Sequence, residues 1–172
     1  MVVVIEKYVP KNHCDKLISL ASNKWDRGNT KDKNHPARNS DIFWVNDGEV
    51  QYNVQSIYDI VAKQSSWTFD IRGIETIQIA RYKKDQYYNW HIDGNGIDSI
   101  SCDKNIVRKV SMSILLNDNY EGGELEIMGY GFVPNTLGTV VVFPSYFHHR
   151  VNPINKGIRY SLVAWFGGPK LR

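Results

Sequence analysis

Two hydrophobic periods divide this chain. Up to about residue 73, apolar residues recur at helical intervals. Cys14, Leu17, Ile18 and Ala21 stand at i, i+3, i+4 and i+7, and Val50, Val54, Ile57, Tyr58 and Val61 repeat the pattern. Each set lays one apolar stripe along a helix. Pro10 and Asn12 precede the first stripe, and Asn46-Asp47-Gly48 turns the chain ahead of the second. The β-branched run from Val2 to Ile5 and the apolar run from Asp41 to Val45 predict strands, with a polar loop from Arg27 to Ser40 between the first helix and the second strand.

From Ile74 the period becomes two. Ile77 and Ile79 alternate with Thr76, Gln78 and Ala80 on the way to Tyr82, and Tyr87 to Asp93 resumes the strand after a turn over Lys83 to Gln86. Val110, Met112 and Ile114 alternate with Ser111 and Ser113. Asn117 to Gly123 reads as a turn. Glu124 to Met128, Thr139 to Phe143 (ended by Pro144) and Ile158 to Phe166 (ended by Gly167-Gly168-Pro169) read as further strands. Gly94 to Lys109 is polar and predicts a mobile loop. Two helices followed by many short strands predict an α+β, mainly β fold: a double-stranded β-helix, or jelly roll, over residues 74–169. Residues 1–73 form its helical support, and residues 1–172 make a single domain.

Composition narrows the function without naming it. The 172 residues are 42% hydrophobic and 23% charged, which is ordinary for a domain with a core, and the formal charge of +3 is too small to imply nucleic acid. Cys14 and Cys102 show no metal-type spacing and read as free thiols of a reducing compartment. The apolar start ends at Glu6 and Lys7, too soon for a signal peptide or a membrane span. The expectation is a soluble, intracellular protein with no membrane partner.

The candidate chemistry begins at His91-Ile92-Asp93. In an extended segment His91 and Asp93 project to the same side. A second imidazole from a later strand would complete a two-His-one-carboxylate facial set, which suits Fe(II) and leaves coordination positions open. His148 and His149 are both available; adjacent strand residues face opposite ways, and the periodicity does not choose between them. Arg159, Ser161, Val163 and Trp165 share one face of the last strand. A buried Arg needs an anion. Asp85 or Glu124 could supply it structurally. Functionally, a small diacid could chelate the metal at one end and meet Arg159 and the Ser161 hydroxyl at the other, with the Tyr82 phenol as an added donor.

Taken together, these pieces resemble the Fe(II)/2-oxoglutarate-dependent dioxygenases, in particular their prolyl-hydroxylase-like branch. The resemblance is carried by Gln78-Ile79-Ala80-Arg81-Tyr82, Tyr88-Asn89-Trp90-His91-Ile92-Asp93, Tyr120-Glu121-Gly122-Gly123-Glu124-Leu125, Phe143-Pro144-Ser145 through His149-Arg150-Val151, and Gly157-Ile158-Arg159-Tyr160-Ser161-Leu162. Arg38-x-Ser40 and Trp44 are similar to the family's N-terminal part more loosely. The family pattern His-Arg-Val then Gly-x-Arg-x-Ser implies His149 rather than His148, so that His91, Asp93 and His149 form the catalytic metal set. It also implies Fe(II), 2-oxoglutarate as cosubstrate bound by Arg159, Ser161 and Tyr82, ascorbate as accessory reductant, and hydroxylation of a peptide, protein or small-molecule substrate, a prolyl residue among the candidates. Two other readings stand beside it. A nucleic-acid-demethylating oxygenase would carry a second Arg six residues after Arg159, where this chain has Trp165. A non-catalytic cupin-like metal-binding jelly roll would not need the Arg159-x-Ser161 clamp.

Overall fold

A computed structural model of the chain describes residues 1–22, 24–28, 37–94 and 105–170. The two helical stripes form as predicted. Helix α1 (Lys11–Leu20) buries Cys14, and α2 (Gly48–Gln64) buries Val50, Val54, Tyr58 and Val61. Asp47 caps α2, its Oδ1 accepting the Val50 amide at 3.0 Å, which satisfies one of the orphan donors of the first turn.

The strands run in chain order β1 (Val3–Ile5), β2 (Asp26–Arg27), β3 (Arg38–Asn39), β4 (Asp41–Val45), β5 (Gly73–Ile74), β6 (Ile77–Tyr82), β7 (Tyr87–His91), β8 (Ile106–Leu115), β9 (Glu121–Gly122), β10 (Leu125–Ile127), β11 (Gly131–Phe132), β12 (Val140–Pro144), β13 (His149–Val151), β14 (Ile154–Lys156) and β15 (Arg159–Pro169). They build a large antiparallel sheet in the order β1-β12-β8-β15-β6-β4-β2, with β5 beside the end of β15. A smaller sheet runs β11-β10-β13-β7-β3, and β9 pairs with β14. The fold is thus mainly β, with two helices.

Alternation sorts the large sheet's side chains. One face carries Ile77, Ile79, Val110, Met112, Ile114, Val140, Val142, Leu162, Ala164 and Phe166, all packed with the buried positions of α1 and α2. The other carries Ala80, Tyr82, Val141 and Phe143, which share a second core with Leu125, Ile127 and Val151 of the small sheet. The molecule is therefore layered as helices, large sheet and small sheet.

Several boundaries differ from expectation, each for a local reason. Predicted loop residues Ile106 to Lys109 belong to β8, whose long pairing with β15 carries the strand back to Ile106; residues 95–104, the rest of that predicted mobile loop, lie outside the described residues, as does Cys102. Strand β15 does not stop at Phe166. It continues through Gly167 and Gly168 to Pro169, because β8 and β5 still offer partners there, across a register shift after Phe166. Pro169 sits at the last position, where a missing amide costs least. The predicted loop from Arg27 to Ser40 holds β3 and the end of β2, and residues 29–36 of it are outside the described residues. The predicted turn from Asn117 to Gly123 contains β9. Among the described residues, no helix is long and apolar enough to cross a membrane.

Candidate active site

The functional side chains line a cleft between the two sheets that is open to solvent and encloses about 40 Å³. His91 ends β7 and His149 begins β13, and the two are direct cross-strand partners. Their rings approach to 4.1 Å between centroids. Asp93 is not on the strand. The chain bends after His91, and the Asp93 amide donates to the Ser145 carbonyl at 2.9 Å. Asp93 Oδ1 lies 3.7 Å from His91 Nε2, and Oδ2 lies 3.4 Å from His149 Nε2. Chosen ligand atoms of the three residues all fall within 4.8 Å of one another. His148 is exposed and takes no part in this cluster.

Both imidazoles are held in the orientation a metal needs. His91 Nδ1 lies 2.8 Å from the Asn89 carbonyl and His149 Nδ1 lies 2.9 Å from the Phe147 carbonyl. A carbonyl only accepts, so each Nδ1 carries a proton and each Nε2 is turned to the cleft, where it offers a lone pair once its ring is neutral. The rings are also packed: Tyr88 stacks on His91 at 3.5 Å between centroids, and Phe143 meets His149 edge-on at 4.8 Å.

The protonation states follow from this crowding. Burial, aided by the charge at His149, pulls His91 down to about 4, so it is neutral at pH 7. Burial alone would raise Asp93, but His149 and His91 and the Ser111 hydroxyl outweigh it and hold the carboxyl well below the usual range. Burial likewise lowers His149, and Asp93 more than reverses that, so its net shift is upward. Metal ligands coordinate as neutral imidazole and carboxylate, so this cluster exchanges a proton for a cation. Burial pushes the Tyr88 phenol up to about 12, which keeps it neutral.

Farther along the cleft, Arg159 is 3% exposed. Its Nη1 donates to Ser161 Oγ at 2.9 Å, its Nε has no protein partner, and Tyr82 lies beneath the guanidinium at 5.7 Å. No carboxylate of a described residue reaches ion-pair distance. Neither structural partner weighed from sequence pairs with it: Glu124 accepts from Asn152 at 3.3 Å, and Asp85 forms no ion pair with Arg159. Gly123 lies against the stem of Arg159. At its φ of +67° a side chain is strained, and a Cβ there would sit 3.2 Å from Arg159 Cδ.

The structure thus brings His91, Asp93, His149, Arg159, Ser161 and Tyr82 together around one cleft, with Asp93 reached by a bend and not by strand alternation, and leaves His148 outside it. Contacts of other residues named from sequence were not foreseen. Ser111 Oγ donates to Asp93 Oδ2 at 2.7 Å, Arg38 bonds Ser40 and Gln78 at 2.6 and 2.8 Å, and Trp165 Nε1 is buried without a partner. Serines alternating through an apolar strand were the available signal for Ser111.

The donor set fits iron, and a buried, unpaired guanidinium in the same cleft fits a distal carboxylate. Comparison with known proteins agrees. The model of the 2OG-Fe(II) oxygenase superfamily matches residues 77–167. A PKHD-type hydroxylase from Idiomarina loihiensis is 32% identical over 99 residues, covering 55% of this chain and 43% of that protein. The chain therefore spans less than half the length of that curated relative. The viral collagen prolyl hydroxylase of Paramecium Bursaria Chlorella virus-1, solved with 2OG, superposes with a TM-score of 0.78 at 24% identity, over 97% of this chain and 96% of that one. A prolyl hydroxylase from Trichoplax adhaerens, solved with a hypoxia inducible factor peptide fragment, superposes at 0.74 with 18% identity, over 96% and 82%. With its family model matched over more than half its length and the Fe(II) and 2-oxoglutarate of that family fitted by this cleft, the chain belongs to the 2OG-Fe(II) oxygenase superfamily.

Proposed function

We propose that the protein is an Fe(II)- and 2-oxoglutarate-dependent hydroxylase acting on a prolyl residue of a peptide or protein. On this reading His91, Asp93 and His149 hold the iron, and Arg159 and Ser161 hold the far carboxylate of the cosubstrate over Tyr82. The facing sheets are then the two halves of a jelly roll. The iron and cosubstrate would supply the oxidising chemistry, in which one atom of dioxygen enters a substrate C–H to give an alcohol and the other enters 2-oxoglutarate, which leaves as succinate and carbon dioxide.

The observation that carries the reading is Arg159, a buried cation with no carboxylate partner among the described residues and opening on the same cleft as the metal set. An uncompensated buried charge is costly, and a diacid ligand removes that cost. The chain's own residues do the positioning. Asn89 and Phe147 carbonyls set the imidazoles, while Leu125, Phe143 and Val151 keep the cleft apolar around them. The Tyr88 and Trp165 rings also line it and suit the apolar, N–H-free ring of a prolyl residue. Arg108 braces Trp165 from behind, 3.9 Å from its ring and paired to Glu75 through two bonds of 2.9 and 2.7 Å. The names of the relatives and fold neighbours support the same substrate class.

The test supplies Fe(II), ascorbate and 2-oxoglutarate with a library of proline-containing peptides. Succinate formation and a gain of one oxygen on proline are expected. Succinate without any oxidised peptide would remove the prolyl substrate, and absence of both would remove the activity.

A further inference from the structure

We infer that Ser111, backed by Ser145, is a positioning residue that fixes the orientation in which the Asp93 carboxylate meets the metal. The inference rests on the metal reading above. It starts from a chain of hydroxyls buried beneath the carboxylate. Ser111 is 1% exposed and Ser145 is fully buried. Ser111 Oγ lies 2.7 Å from Asp93 Oδ2 and 2.9 Å from Ser145 Oγ. An ionised carboxylate only accepts, so the single Ser111 proton goes to Asp93, and the Ser145 hydroxyl must donate to Ser111. The direction of the relay is therefore set: Ser145 to Ser111 to Asp93. A hydrogen bond onto a charged oxygen is of the stronger kind.

The relay is anchored on both sides. The Ser145 carbonyl accepts the Asp93 and Gly94 amides at 2.9 and 3.1 Å, and the Ser145 amide donates to the Lys109 carbonyl at 2.9 Å. Ser111 lies in the middle of β8, opposite Phe143 on one side and Trp165 on the other. Asp93 thus leaves the small sheet's strand but is held by the large sheet. With Oδ2 held by Ser111 while it faces His149 Nε2 at 3.4 Å, and Oδ1 facing His91 Nε2 at 3.7 Å, rotation of the carboxylate is blocked. Loss of the Ser111 hydroxyl would free that rotation and let the carboxylate turn away from the orientation a cation needs.

The experiment uses Mn(II) as the probe, without oxygen or cosubstrate, on the whole protein. Affinity and line shape are read by electron paramagnetic resonance, and folding by circular dichroism. Removing a residue that orients a metal ligand costs about 10- to 100-fold in metal affinity. Ser111→Ala is expected to lose that much and to change the Mn(II) spectrum, while Ser111→Thr, which keeps the hydroxyl, stays close to wild type in both. Ser145→Ala removes only the outer link and is expected to lose about 2- to 10-fold, as for one neutral hydrogen bond. A folded Ser111→Ala with wild-type affinity and spectrum overturns the inference. Should Ser111→Ala not fold, Ser145→Ala decides, since an unchanged affinity and spectrum there overturns the relay. A wild-type protein that binds no Mn(II) overturns instead the metal reading beneath it.

Discussion

The large sheet has two faces built from the same strands, and they are put to opposite uses. On β15, Leu162, Ala164 and Phe166 turn to the helices, while Arg159, Ser161 and Trp165 turn to the cleft. On β8 and β6 the division repeats: Met112, Ile114 and Ile79 on one side, Ser111, Ser113 and Gln78 on the other. The helix face buries mainly apolar area, and that is the main favourable term in folding. The cleft face spends buried positions on polar groups whose partners are one another or a ligand, which returns little stability. Strand alternation therefore keeps stability and chemistry on separate surfaces one residue apart.

Substitutions can break that separation or sharpen it. The largest effect is expected at His91. Replacing it by alanine should abolish metal-dependent turnover with the unfolding transition nearly unchanged, while His148→Ala keeps activity; a turnover assay beside a thermal melt checks both, and normal turnover in His91→Ala would falsify the ligand set. Next is Phe166→Ala on the opposite face, where the ring stacks on Tyr58 at 4.2 Å between centroids. It should lose about 3–5 kcal/mol of stability in urea unfolding and leave 2-oxoglutarate affinity alone. A large drop in affinity would show that the faces are coupled. Arg159→Lys keeps the charge and loses the planar fork. It should weaken 2-oxoglutarate binding to the Mn(II)-loaded protein by about 1.5–3 kcal/mol, read by anaerobic titration, with Mn(II) affinity unchanged. The smallest effect concerns Cys14 in the helix-side core. Burial pushes its thiol from the ordinary 9.0 up to about 11. Between those values the unfolded chain loses a proton that the folded chain keeps, so stability falls as pH rises through that window. Cys14→Ala should flatten that alkaline slope, measured by urea unfolding at pH 8 and pH 10.

The same two faces explain what was legible in the sequence. Helix-side positions announce themselves, because an unbroken apolar row such as Ile77-Ile79 or Val50-Val54-Tyr58-Val61 has no reading other than burial. Arg159 and Ser161 were legible for the converse reason: a charge and a hydroxyl stand on one face of an apolar strand. The two- and three-residue strands β3, β9, β11, β13 and β14 were not, since a segment that short has no period and is defined by partners distant in sequence. Nor was the end of β7. Strand alternation placed His91 and Asp93 on one side, but the carboxylate arrives there through a bend stabilised by Ser145, which lies 52 positions away, as 145 less 93. Periodicity left the choice between His148 and His149 open; the family pattern implied His149, and the pairing of β13 with β7 sets it opposite His91. Ser111 looked like any outward serine of a half-exposed strand, because only the facing sheet makes that side an interior.

That placement has a thermodynamic consequence. His91 and His149 belong to the small sheet, and Asp93 is tied to the large one. On the proposed reading, a cation in the cleft closes a ring of bonds across the only two layers between which the ligand set is divided. Occupancy and sheet docking are then linked equilibria: each favours the other by the same free energy. At a hundred times its dissociation constant the ion adds about 2.7 kcal/mol to the folded state, and slower amide exchange in β7 and β13 is where that linkage would be seen.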